Sequence, residues 1–231
     1  MVIAAILAGG TGSRMGLEIP KQFAEIAGKP VLAHTCEKFL EHPEINHVVA
    51  LVPAEWVDFT KELLGGVEVV AGGSTRNETL RNALNYVREK FGEEEHILMT
   101  HDAARPFVTH RIITENIKAA YEHGACGTAI PAADTIVRSE DGNVMSEIPA
   151  RSQMYQAQTP QSFRCAALAR MMDALTPEEE AGLTDACMIF ALKGEPVKMV
   201  RGEPANIKIT YPQDLEIANA LFQIINREAA P

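Results

Sequence analysis

Between positions 6 and 23 the chain reads "ILAGGTGSRMGLEIPKQF", which puts Gly9, Gly10, Gly12, Arg14 and Lys21 into one connection after an apolar run. Glycines let a backbone turn sharply and bring N–H groups against phosphate oxygens with no Cβ in the way. Arg14 and Lys21 add two cations, and Pro20 fixes the backbone just before the lysine. Cations over a bed of amides make a clamp for a polyphosphate. The spacing excludes two common phosphate loops: G-x-G from Gly10 would need a glycine at Met15, and no Gly-Lys-Ser/Thr follows. A glycine-rich strand-to-helix turn with no ligand is the alternative for this loop taken alone.

Three further polar stretches carry compatible chemistry. "THDAARPF" places Asp102 where it could hold a divalent cation bridging phosphate oxygens, with Arg105 in reach of a second anionic group. An N-cap or turn carboxylate is the other reading of Asp102. His101 is read as a packed strand-end residue rather than a base. "GGSTRNET" at 72–79 is a strand-to-helix turn, and Lys208 sits in a short β-type run within "NIKIT" at 206–210.

The elements that must position these residues follow from periodicity. Apolar runs at 2–8, 47–52, 67–71, 96–101, 127–132 and 197–200 read as strands of a largely parallel sheet. Helical patterns at 31–41, 54–64, 76–91, 109–122, 164–174, 184–193 and 212–228 alternate with them, the last with Pro212 in its first turn. The alternation predicts an α/β, Rossmann-like three-layer sandwich with a mostly parallel sheet, in one domain over 1–231. From Thr135 to Phe163 the rhythm breaks around a turn signal at Asp141-Gly142. That stretch reads as a projecting β-hairpin arm at about 136–160, too small to stand alone and therefore expected to rest on a second subunit.

With 21 Lys and Arg against 31 Asp and Glu, the net charge of −10 argues against nucleic acid or an anionic membrane as partner. Any anionic ligand must then be met by a local basic pocket. No apolar run approaches a membrane span, and the run from Met188 to Leu192 stops at Lys193. The four cysteines are scattered with no CxxC pair, and the opening run lacks the charged lead of a secretory signal, so a reduced cytoplasmic setting is expected. The seven histidines form no zinc motif.

On "LAGGTGSRMG…PKQF", "GGSTRNET", "HDAARPF", "ADTI", "TPQSF", "LTDA" and "NIKIT.P.DL", in this order, the chain resembles the cytidylyltransferases that activate polyol phosphates. The resemblance implies that Leu7, Ala8, Gly9, Gly10, Gly12, Gly73, Thr75, Arg76, Asn77, Glu78, Thr79, Asp102 and Ala103 bind CTP. It gives Arg14 and Lys21, with Lys208, the catalytic role of stabilising charge. Arg105, Thr135, Arg151, Thr159 and Lys208 would orient the polyol phosphate, Thr135 and Arg151 serving the neighbour's site in a homodimer joined by the arm. Asp102 would touch a metal-bound triphosphate, with Mg2+ or another divalent cation as cofactor.

"THDAARPFVTHRIITENI", "MYQAQTPQSF" and "LTDAC" look like the ribitol-phosphate branch, and Ala186 stands where the isoprenoid branch has an acidic residue. The expected reaction therefore joins CTP and ribitol 5-phosphate to give CDP-ribitol and pyrophosphate. The resemblance would connect it to teichoic-acid or capsular polysaccharide synthesis, with a ribulose-5-phosphate reductase as neighbour or partner. The alternatives are 2-C-methyl-D-erythritol 4-phosphate as acceptor, a non-catalytic nucleotide-binding regulator, and a nicotinamide oxidoreductase, the last disfavoured by Met15.

Overall fold

Strand β1 (Val2–Leu7) is buried along its whole length, and its side chains alternate between two apolar clusters. In this computed structural model, which describes residues 1–10, 19–92 and 94–228, that alternation sets the layers. Val2, Ala4 and Ile6 face helices α1 (Val31–Leu40) and α4 (His110–His123), where Leu32, Phe39, Ile112 and Ile117 cover them. Ile3, Ala5 and Leu7 face α3 (Arg76–Phe91), α5 (Cys165–Asp173) and α7 (Ala186–Leu192), through Leu80, Leu84, Leu168 and Ile189. A strand covered on both faces can be apolar at every position, which is why "VIAAIL" carries no polar alternation.

Around β1 the sheet is completed by β4 (His47–Val52), β5 (Glu68–Ala71), β6 (Ile97–Asp102), β7 (Ala125–Pro131), β8 (Tyr155–Arg164) and β9 (Lys198–Arg201), in the order β5-β4-β1-β6-β8-β7-β9. A small antiparallel pair, β2 (Glu25–Ile26) and β3 (Lys29–Pro30), stands apart. Helices α2 (Val57–Leu64), α6 (Pro177–Ala181) and α8 (Pro212–Glu228) complete the chain. The neighbours β5, β4, β1 and β6 are parallel, and so are β7 and β9. The connections lead outward from β1 through β4 to β5 and then cross back to β6. The carboxyl ends of β1 and β6 therefore flank the point where strand order reverses, the usual ligand crevice of open α/β sheets.

Two expectations need correction. Residues 155–160, assigned to the arm, belong to β8 (Tyr155–Arg164), a strand between β6 and β7 that runs antiparallel to both. Buried Gln158, Thr159, Gln161 and Ser162 disguise it, and so does Pro160. The proline is tolerated because pairing with β6 ends at Gln161 and the register with β7 shifts between Gly127 and Ala129. The arm proper is also less regular than a hairpin. It holds one isolated bridge, Arg138 to Glu147, around a turn in which the Asp141 carboxylate accepts from the amides of Asn143 and Val144 and Gly142 takes φ 74°. Ile136, Val137, Val144, Met145 and Ile148 are exposed on it, so no apolar face among the described residues covers them to order longer strands. Among the described residues no helix is long and apolar enough to cross a membrane.

Candidate active site

Leu7 and Asp102 are register partners, and the amide of Ala103 donates to the Leu7 carbonyl at 3.0 Å, so the Ala8–Gly10 loop and the Asp102–Arg105 turn leave the sheet side by side. A third wall comes from the turn into α3. Thr75 caps that helix, its hydroxyl accepting from the Glu78 amide, and the Ser74 amide and hydroxyl both donate to the Glu78 carboxylate. The turn is close-packed: a Cβ on Gly73 would lie 2.1 Å from that of Glu78, so only glycine fits. The fourth wall is a strap after β9. It is stitched to β8 by Gln158 Nε2 donating to the Glu203 carbonyl (2.9 Å) and Asn206 Nδ2 to that of Thr159 (2.9 Å). Lys208 lies on this strap in an irregular segment, not in the β-type run expected for it.

These walls enclose a cavity of about 410 Å³ whose charged lining among the described residues is Lys21, Arg76, Lys208 and Asp102. Asp102 is the hub. Its Oδ1 accepts from Arg76 Nη1 at 2.6 Å, and its Oδ2 meets Lys208 Nζ at 2.8 Å and Arg105 Nε at 3.5 Å. Burial pushes its carboxyl pKa up, but Arg76, Lys208 and Arg105 outweigh that and hold it far below the ordinary carboxylate range. The same carboxylate raises the Arg76 pKa against burial, whereas burial prevails at Arg105 and lowers it. Lys21 follows Pro20 in a short 3-10 turn, Lys21–Phe23, and donates to the Ile209 carbonyl at 2.9 Å, which joins the first loop to the Lys208 strap.

Of the residues singled out from sequence, Leu7, Ala8, Gly9, Gly10, Lys21, Thr75, Arg76, Thr79, Asp102, Ala103 and Lys208 line this one cavity. Others support it from behind. Arg105 is buried with its guanidinium on the Asn206 carbonyl (2.8 Å), and Thr159 is buried beneath Asp102. Asn77 turns away to the Glu180 carbonyl, while Glu78 and Gly73 build the turn. Thr135 and Arg151 are exposed on the arm and do not line the cavity of their own chain. Gly12 and Arg14 lie outside the described residues. Gln22, Ser74 and Ala104 also line the cavity, although residue type and spacing do not single them out. Gln22 is nearly inaccessible and donates to the Ala8 carbonyl at 2.7 Å, and its place in "PKQF", one residue from Lys21, is the available signal.

Asp102 is the one carboxylate among the described residues that line the cavity, so a divalent cation held there with a nucleotide would take its other ligands from phosphate oxygens and water. Both of its oxygens are engaged by cations, and no group of three or more His, Cys, Asp or Glu side chains among the described residues could hold a metal ion. In this structure Asp102 is the counter-ion of Arg76, Lys208 and Arg105.

Residues 2–224 match the family model described as IspD, 2-C-methyl-D-erythritol 4-phosphate cytidylyltransferase. The chain belongs to the IspD family. Solved structures agree with that membership. The 4-diphosphocytidyl-2C-methyl-D-erythritol synthase of Anaerococcus prevotii superposes with a TM-score of 0.80 at 28% identity over 96% of both chains. A second structure of a synthase of that name gives 0.79 at 30% identity, over 96% of this chain and 97% of the other. The 2-C-methyl-D-erythritol 4-phosphate cytidylyltransferase of Francisella tularensis gives 0.77 at 28%, over 95% and 99%. In this IspD-family chain the cation cluster around Asp102 thus sits on a scaffold shared over nearly its whole length.

Proposed function

We propose that the chain transfers a cytidylyl group from CTP to the phosphate of a five-carbon polyol phosphate, releasing pyrophosphate. The observation that carries this reading is the set of three cations, Lys21, Arg76 and Lys208, converging with Gly9 and Gly10 on one cavity at the switch point of the sheet. In a chain of net charge −10, that local excess of positive charge is built for an anion.

A phosphate oxygen of the acceptor attacks the α-phosphorus of CTP. The new P–O bond forms as the bond to the bridging β-phosphate oxygen breaks, and pyrophosphate departs with the electron pair. A phosphate monoester with a second pKa near ~6 is largely dianionic at neutral pH, so the nucleophile needs no general base. His101, beside the cavity's floor, is unsuited to act as one, because both ring nitrogens are engaged and burial lowers its pKa to about 4. What remains for the protein is positioning and charge stabilisation, which Lys21, Lys208 and Arg76 supply as charge builds on the transferring phosphoryl group and its leaving group. The cytidine end is assigned to the Gly73–Thr79 turn, a reading supported by Ser74, Thr75 and Thr79 lining the cavity.

The comparisons favour 2-C-methyl-D-erythritol 4-phosphate as the acceptor. Ribitol 5-phosphate is a second reading, resting on "MYQAQTPQSF" and "LTDAC". There Ala186 is only 4% exposed, in the apolar cluster beside Leu183 and Ile189, where an acidic side chain would have to be buried. The exposed apolar arm is proposed to be covered by a second copy, which would bring Arg151 toward the neighbour's cavity. Buried free thiols at Cys36 and Cys126, raised by burial to about 12, suit a reducing cytoplasmic setting.

Equimolar methylerythritol phosphate and ribitol 5-phosphate, competing for limiting CTP and analysed by mass spectrometry, test the assignment. A CDP-linked methylerythritol product supports the first acceptor and CDP-ribitol the second. CTP bound but unconverted would instead identify a nucleotide-binding regulator.

A further inference from the structure

Behind the cavity lies a chain of hydrogen bonds that no step of the proposed transfer uses. The Asp102 amide donates to Thr159 Oγ1 at 3.0 Å, Thr159 Oγ1 lies 3.0 Å from His101 Nδ1, and His101 Nε2 lies 3.0 Å from the Arg105 carbonyl. A carbonyl oxygen only accepts, so Nε2 must carry a proton. In the neutral ring Nδ1 is then bare and accepts the Thr159 hydroxyl proton, which frees Thr159 Oγ1 to accept from the Asp102 amide. Every donor in this relay has one acceptor, and its direction is determined throughout. The Arg105 amide closes the turn by donating to the Asp102 carbonyl at 3.0 Å. Two tethers from one fully buried imidazole thus hold both ends of the turn that carries Asp102.

We propose that His101 is a positioning residue: through Thr159 at one end and the Arg105 carbonyl at the other, it fixes the Asp102 carboxylate on which Arg76 and Lys208 are aligned. It acts through Asp102 and touches no reacting atom. Loss of the relay would let the carboxylate swing, and with it the two cations 2.6 and 2.8 Å away. Misplacements of that kind cost rate more than binding. The kinetic consequence rests on the cytidylyl-transfer reading, whereas the tautomer does not.

The test therefore has two arms on the full chain. Long-range 1H–15N correlation spectra of histidine-labelled protein at neutral pH, with His101 assigned by its absence in His101→Asn, should show the neutral tautomer protonated at Nε2. A ring protonated at Nδ1, or at both nitrogens, overturns the proposal whatever the enzyme does.

In the second arm, His101→Asn preserves an acceptor for Thr159 and His101→Gln preserves reach to the Arg105 carbonyl. Both should retain more kcat than His101→Phe, which should fall about 10-fold or more while KM for CTP stays within about 2-fold. Adding Thr159→Val to His101→Phe should cost little further. Full kcat in a folded His101→Phe enzyme, or strictly additive losses, overturns the proposal. If His101→Phe does not fold, the Asn and Gln variants decide, and wild-type kcat in both counts against it. A wild-type chain inactive with every acceptor refutes the transfer reading and leaves the spectroscopic arm to decide this one.

Discussion

Replacing Asp102 by asparagine removes one buried charge and leaves three cations facing a neutral amide. The Asp102 side chain is 8% exposed, whereas Arg76 and Lys208 are 29% and 40% exposed and can rehydrate in part. Breaking a fully buried pair costs ~3–5 kcal/mol, so partial rehydration brings the expectation to about 2–3 kcal/mol. For a chain of this size that is a fall in Tm of roughly 4–12 °C. The pH dependence has a definite sign. A carboxylate with a depressed folded-state pKa contributes stability above its unfolded value, near ~3.9, and loses it as the pH falls toward the folded value. The stability gap between wild type and Asp102→Asn, measured by urea denaturation, should stay level from about pH 8 to pH 5 and narrow only below about pH 4. A gap under ~0.5 kcal/mol, the range of ordinary surface changes, would refute the hub role of Asp102. So would a gap that closes between about pH 8 and 5.

Lys21→Ala and Lys208→Ala should each lower kcat by roughly 10²-fold in pyrophosphate-release assays, the loss typical of one preorganised charge partner; unchanged kcat removes that lysine from the transition state. Gly73→Ala forces the turn apart at its 2.1 Å approach to Glu78, and calorimetric titration should show CTP affinity weakened by about 10-fold or more. If Arg151 serves the neighbour's cavity, mixing inactive Lys21→Ala and Arg151→Ala chains under exchanging conditions should restore activity. One intact site per mixed dimer sets the recovery at up to about a quarter of wild type. No recovery in dimers shown to have exchanged would mean that both residues act within one chain.

The fold was legible wherever side-chain pattern and burial agree. β1 and most of β4 are apolar runs because helices cover both faces, β6 opens as one at Ile97–Met99, and α3 and α4 show in the helical period of their apolar positions. β8 was hidden because its polar residues are satisfied by partners distant in sequence, as with Thr159 on His101 and Gln161 on Asp185. Periodicity carries no trace of such pairs. The same limit applied to the site. Gly9, Lys21, Asp102 and Lys208 could be picked out by residue type, and the cavity does gather them. The relay through His101, and the stitching of the strap by Gln158 and Asn206, depend on contacts across 45 to 58 positions that no local motif encodes. The cations on Asp102 were equally hidden, because one carboxylate among phosphate-binding residues looks the same in sequence whether or not Arg76 and Lys208 face it.

Cytidylyl transfer is decided by pyrophosphate release from CTP, measured on the purified chain with methylerythritol phosphate, ribitol 5-phosphate or no acceptor present. Release should require one of the two polyol phosphates and should be lost in Lys21→Ala. No release with either acceptor, or release that proceeds equally without one, would refute the transfer.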